Sequence, residues 1–361
     1  MADNLSAIIL AAGEGSRMRS ATPKPLHRLC GRPMILHVID ALGELEVGRI
    51  IVVVGHGADE VVATVSELAS TGTSIEFVTQ EVQQGTGDAT AVALAVLDHA
   101  PGDDDVIVLP GDTPLLRPST MVELVALHRR TDAAATLLTA RLDDPTGYGR
   151  VVRAKDGRVE GVVEHADANE EQRSIDEINT SIYCFRRSLL SPALRRLSPS
   201  NAQGEYYLTD AVGVLFDAGH RTDSLTVEDA TEVAGVNDRA QLSEAEAVLR
   251  SRINVAWLKA GVTMIDPSST YIDASVEIGS DVTLFPGVVL RGETSIGSGS
   301  VLGPNAFVED SQIAAGVHIE TSSIRSASVG ERARVGSFVH LDKGASVPAF
   351  GVIETPAIHP R

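Results

Sequence analysis

The residues with the most chemical content stand at the front of the chain. An apolar run, Ala7-Ile8-Ile9-Leu10, passes directly into Ala11-Ala12-Gly13-Glu14-Gly15-Ser16-Arg17-Met18. Glycines in such a turn let the backbone approach an anionic ligand and offer its N–H groups to phosphate oxygens, which makes Leu10, Ala12, Gly13 and Gly15 candidate ligand-binding positions. The spacing is not the dinucleotide fingerprint, because Met18 stands where a third glycine belongs, and the Gly-Lys-Ser/Thr ending of a nucleoside-triphosphatase loop is absent. Between residues 14 and 32 the basic side chains Arg17, Arg19, Lys24, Arg28 and Arg32 face a single acidic one, Glu14, in a chain whose net charge is −19. Cations concentrated in this way suit a reaction in which a polyphosphate departs, with Arg17 and Lys24 neutralising the developing charge.

Asp112 is the second chemical signal. It follows the apolar run Val106 to Leu109 through Pro110-Gly111. Its carboxylate is therefore expected at the ligand-binding edge of a sheet, as a hard oxygen ligand for Mg²⁺.

The glycine-rich loop followed by Thr22-Pro23-Lys24-Pro25-Leu26 resembles the signature of sugar-1-phosphate nucleotidyltransferases. Further segments follow in family order: Gln80 with Gln84-Gly85-Thr86-Gly87, Gly111-Asp112, Pro145 to Arg150, Val163-Glu164, Glu177-Ile178-Asn179-Thr180, Asn201 to Asp210, and Gly235-Val236-Asn237. Together they resemble the uridyltransferase half of the bifunctional N-acetylglucosamine-1-phosphate uridyltransferase and glucosamine-1-phosphate acetyltransferase family. The resemblance implies UTP and N-acetylglucosamine 1-phosphate as substrates and Mg²⁺ shared by Asp112 and Asn237. It also implies uracil reading by Gln80, Gly85 and Thr86, and a sugar pocket of Tyr148, Gly149, Glu164, Asn179 and Thr180. Two departures stand out. Ser181 replaces the glycine usual after Asn-Thr, which keeps another hexose 1-phosphate, or dTTP, as an alternative. Leu341-Asp342-Lys343-Gly344 stands where the acetyltransferase half carries Leu-Arg-Pro-Gly, and the chain ends before that half's later turns, so no acetyl transfer is expected. A catalytically silent sugar-nucleotide-binding regulator is the reading from another class; its mark would be a broken phosphate or metal site.

The elements that must hold these residues read as two textures. Up to about residue 237, β-branched runs (7–10, 50–54, 74–78, 106–109, 134–139) alternate with amphipathic stretches (33–42, 58–69, 88–97), the pattern of a doubly wound, Rossmann-like α/β domain with a mainly parallel sheet. Leu242, Ala245, Leu249, Ile253 and Trp257 mark a connecting helix over 238–260. Apolar residues then recur every six positions from Ile278 to Val308, at Ile313 and Ile319, and from Val329 to Val347. That period predicts a short parallel β-helix of hexapeptide repeats over 261–347, nearly four turns long, followed by a tail over 348–361. The family resemblance makes it left-handed and implies a homotrimer.

The remaining composition narrows the classes. The acidic charge disfavours nucleic acid and anionic membranes. No run of eighteen apolar residues and no secretory leader pattern is present, and Cys30 and Cys184 alone give no disulfide framework, so a cytoplasmic setting is expected. His27, His37, His56 and His165 read as structural, because nucleotidyl transfer needs no imidazole.

Overall fold

A computed structural model describes residues 5–69, 72–97 and 104–354. The chain divides into two compact units, Met1–His27 with Pro33–Gln241, and Arg28–Arg32 with Leu242–Arg361.

The first unit is built on a nine-stranded sheet. Its main path runs Thr222–Thr226, Ala135–Arg141, Glu177–Arg186, Asp105–Pro110, Leu5–Ala11, Arg49–Val54, Ser74–Thr79. The expected strands and helices are present, with ends shifted by one or two residues. Strand Leu5–Ala11 pairs in parallel with both Arg49–Val54 and Asp105–Pro110. Ile51, Val52, Ile107 and Val108 are all fully buried. Helices pack on both faces of such strands, which is why they read as continuous apolar runs. The carboxyl ends of these central strands lead into the glycine-rich loop and the Gly111-Asp112 turn.

The sheet departs from a mainly parallel pattern at one place. Strand Glu177–Arg186 is antiparallel to both Asp105–Pro110 and Ala135–Arg141, and the hairpin of Arg150–Arg153 with Val159–Val163 pairs onto it. Its register shifts between Asn179 and Tyr183, where Ser181 takes a left-handed φ of 62°. The polar Asn-Thr-Ser interruption hides the strand from a period-two reading.

The second unit is a left-handed parallel β-helix with three parallel sheets of six, five and five strands. Helix Arg239–Lys259 precedes it, and Ile253 and Trp257 pack against its core. The six-residue positions Ile278, Leu284, Leu290, Ile296, Leu302 and Val308 are buried, and Val282, Ser300, Ala306 and Ala333 fill corners with no exposed surface. The described coil is longer than the repeat indicated: it begins at Thr263–Met264 and continues to Val352–Ile353, five full coils and one strand. Ile324 also points inward. It falls outside the strict period because the steps from Ile319 to Ile324 and on to Val329 are one residue short. Glycines follow several inward residues because the next coil's backbone lies against them: a Cβ on Gly330 would come within 2.5 Å of the Ala349 nitrogen.

Residues 28–32 pack with this unit: the Cys30 N–H donates to Glu246 Oε2 at 2.7 Å, and the Ala274 N–H donates to the Cys30 carbonyl. Both cysteines are free and buried, and burial pushes both thiols up. Among the described residues no helix is long and apolar enough to cross a membrane.

Candidate functional site

A cleft of about 590 Å³ opens in the first unit at the carboxyl ends of the central strands. One wall is the glycine-rich loop. Leu10, Ala12, Gly13 and Gly15 all line the cleft. Gly15 has φ 61°, and a Cβ there would sit 2.6 Å from Lys24 Cβ, so glycine is what lets Lys24 close against the loop. Gly13 has no neighbour within 4 Å of its would-be Cβ and faces open space.

The cationic and oxygen-bearing residues meet on the cleft floor. Lys24 Nζ forms an ion pair with Asp112 Oδ2 and donates to Asn237 Oδ1 at 2.8 Å; Arg17 Nη2 donates to the same Asn237 oxygen at 2.9 Å. Asp112 and Asn237 are held together by backbone as well, since the Val236 N–H donates to the Asp112 carbonyl at 2.8 Å. Arg17 is exposed and does not line the cleft itself. Arg28 and Arg32 belong to the second unit, where Arg28 Nη1 donates to the Gly31 carbonyl. The basic stretch therefore divides: Lys24 lines the floor, Arg17 touches it only through Asn237, and Arg28 and Arg32 belong to the other unit.

The opposite wall is the turn at 80–87. Gln80, Gly85 and Thr86 line the cleft. The Gln80 N–H donates to the Val54 carbonyl, fixing it at the end of a central strand. The turn is stitched to residues 206–208: Gly87 N–H to the Tyr206 carbonyl, Tyr206 N–H to the Gln84 carbonyl, and Leu208 N–H to Thr86 Oγ1. Gln83 lines the cleft without having been singled out in the sequence; its Nε2 donates 2.8 Å to the Ala12 carbonyl and ties the two walls.

The third side carries the residues expected to hold a sugar. Tyr148, Asn179 and Thr180 line the cleft, as does Ser181. Gly149 and Glu164 do not line it, but they adjoin each other: a Cβ on Gly149 would be 3.2 Å from Glu164 Oε2. Asn179 Nδ2 donates to Tyr183 Oη at 2.8 Å, whereas Asn179 Oδ1 is buried without a protein partner. A buried acceptor left open in a cleft is a position where a ligand donor belongs. Burial pushes the Glu164 carboxyl up; Thr209 Oγ1, donating at 3.2 Å, opposes the shift, and Asp210 and Asp167 add to it.

Glu205 also lines the cleft and lay unremarked within the Asn201 to Asp210 segment. None of the four histidines lines it; burial and the nearby Arg239 charge hold His27 toward its neutral form.

Residues 7–210 match the model of the MobA-like NTP transferase domain. The bifunctional protein GlmU of Exiguobacterium sp. AT1b is 46% identical over 343 residues, covering 95% of this chain and 74% of that protein. This chain belongs to the GlmU family. Other GlmU relatives agree: that of Trichlorobacter lovleyi is 46% identical over 345 residues, covering 95% of this chain and 74% of its own, and that of Streptomyces avermitilis 42% over 349 residues, covering 96% and 72%. A solved Bacillus anthracis protein assigned as a glucose-1-phosphate thymidylyltransferase superposes with a TM-score of 0.54 at 22% identity, over 68% of this chain and 94% of that one, a likeness of fold. The GlmU-type chain is thus a nucleotidyltransferase.

Proposed function

We propose that the protein transfers UMP from UTP to N-acetylglucosamine 1-phosphate, giving UDP-N-acetylglucosamine and pyrophosphate, with Mg²⁺ and without acetyl transfer. The observation that carries the reading is the convergence of Lys24 and Arg17 on the Asp112 and Asn237 oxygens beside the glycine-lined wall. A phosphate oxygen of the sugar phosphate forms a bond to the α-phosphorus of UTP as the bond from that phosphorus to the bridging α–β oxygen breaks, and pyrophosphate leaves with its electron pair. The nucleophile is already ionised near neutral pH, so no protein base is required, and alignment with charge neutralisation carries the rate.

The donor set fits a divalent ion. Asp112 Oδ2 and Asn237 Oδ1 both accept from the one Lys24 ammonium, so the two oxygens already face a single cation position. Among the described residues no group of three or more His, Cys, Asp or Glu gathers elsewhere to hold a metal. Asp112 and Asn237 would hold such an ion through hard oxygen atoms, the donor type that suits Mg²⁺. When bound there, Mg²⁺ would neutralise charge on the triphosphate. Lys24 and Arg17 hold phosphate oxygens by charge-assisted hydrogen bonds, and the loop from Leu10 to Gly15 offers its backbone to the same anion. Gln80, Gly85 and Thr86 take the base; Tyr148, Gly149, Glu164, Asn179 and Thr180 take the sugar.

Pyrophosphate release from UTP and N-acetylglucosamine 1-phosphate, with and without Mg²⁺, tests the assignment. Asp112→Ala is expected to lower turnover by at least about 100-fold; a fully active Asp112→Ala enzyme would refute the site. Ser181 favours a second reading, another hexose 1-phosphate or dTTP, because it lines the cleft beside Asn179 and Thr180 at a position where a glycine would leave more room. A panel of sugar phosphates with UTP and dTTP separates the two. For acetyl transfer, the exposed Asp342-Lys343 turn that replaces Arg-Pro supports its absence, and measurable acetyl-coenzyme A turnover would overturn that part.

A further inference from the structure

Gln80 is 5% exposed, and its amide nitrogen donates to Asp88 Oδ2 at 2.7 Å and to the Gly85 carbonyl at 3.2 Å. Both partners accept only, so the nitrogen end of the amide must face them. Both amide hydrogens are thereby used. Oε1 is left as the acceptor that the cleft can use, since no described hydrogen bond ends on it. Asp88 itself does not line the cleft. It sits in the first turn of helix Thr86–Leu97, where the helix N-terminus favours a negative charge, and its whole effect on a ligand passes through Gln80.

We infer that Asp88 is a positioning residue for base selection: it locks the Gln80 carbonyl toward the ligand, so that the cleft takes a pyrimidine bearing an N3–H and rejects cytosine. The inference rests on the nucleotide site proposed above. Uracil and thymine carry a hydrogen on N3 that Oε1 can accept. Cytosine carries a lone pair there, and two acceptors face each other. Accommodating cytosine would require the amide to turn over, which places Oε1 against both the Asp88 carboxylate and the Gly85 carbonyl. With the carboxylate removed, one of these two penalties is gone and the amide can present either end. The Val54 carbonyl holds the Gln80 backbone in place throughout, so the choice lies in the amide orientation alone.

The test compares kcat/KM for UTP and CTP, with N-acetylglucosamine 1-phosphate as acceptor, in the parent enzyme, Asp88→Ala and Asp88→Asn. Asp88→Ala is expected to reduce the UTP-to-CTP ratio by about tenfold or more, chiefly through a lower KM for CTP, because the Gly85 carbonyl still favours the orientation that accepts from uracil. Asp88→Asn, which keeps an acceptor oxygen but loses the charge, is expected to fall between the two. An unchanged ratio in a folded Asp88→Ala enzyme overturns the inference. If that variant does not fold, the Asp88→Asn ratio decides in the same way, a ratio equal to the parent's overturning it. A parent enzyme that releases no pyrophosphate from UTP refutes the proposed reaction itself. An active parent with an unmoved ratio refutes only the role of Asp88.

Discussion

Asn237 Oδ1 receives two cationic donors at once, Lys24 Nζ and Arg17 Nη2, and the loop that delivers Lys24 depends on individual glycines in different ways. Gly15 is closed by Lys24 Cβ and has a positive φ, whereas Gly13 looks onto empty cleft. Gly15→Ala is therefore expected to lose stability and turnover together, because Lys24 must move. Gly13→Ala is expected to keep the parent melting temperature and raise KM for UTP. Steady-state kinetics with thermal melts check both, and equal effects from the two substitutions would contradict this account. Glu164 gives a pH signature. Its carboxyl is raised above the ordinary 4.5 by burial. The fold therefore favours the protonated form: the contribution is complete below the ordinary value and is lost as pH rises through the shifted one. Glu164→Gln should melt above the parent at neutral pH, and the gap should close as pH falls below the ordinary value. Thermal melts from acid to neutral pH measure this, and a gap that widens on acidification would contradict it. A carboxylate kept where it weakens the fold is what a ligand-binding role demands.

Strand Glu177–Arg186 shows how far an element could be read in advance. Its Glu-Ile-Asn-Thr segment could be singled out for residues that the structure places at the cleft, Asn179 and Thr180, yet its place in the sheet could not, because antiparallel insertion between two strands distant in sequence leaves no local periodicity. The positive φ of Ser181 follows from the register shift, and it explains in backbone terms why glycine suits this position. A side chain in the left-handed region costs about 1–2 kcal/mol, partly offset by the extra unfolded-chain freedom of glycine. Ser181→Gly is expected to raise stability by up to about 1 kcal/mol in urea denaturation, and to lower KM for N-acetylglucosamine 1-phosphate by removing a side chain from the cleft. A KM that stays fixed would exonerate Ser181 as an obstacle. The loop residues and Asp112 were readable because strand, glycine and charged residue follow one another directly. Gln83 and Glu205 were not, since their relation to the cleft depends on walls contributed by separate segments. The six-residue repeat was readable until two shortened corners carried Ile324 out of phase.

At the level of the whole chain, the β-helix exposes Ile265, Phe338, Phe350 and Val352, each more than half accessible. Large apolar side chains left in water support the proposal that copies associate, with a trimer as the family-based expectation. Sedimentation at working concentration is expected to give a trimer, and a stable monomer would count against it. The pairing of Thr283 with Val301, Val301 with His318, His318 with Arg334 and Arg334 with Val352 makes successive coils 18, 17, 16 and 18 residues long. The prism can thus shed a residue at a vertex without rotating the following side chains out of the interior. Its vertices, rather than its flat faces, are where this scaffold can absorb inserted or deleted chain, and a protein engineer wishing to graft a loop onto it should start between Ile319 and Val329.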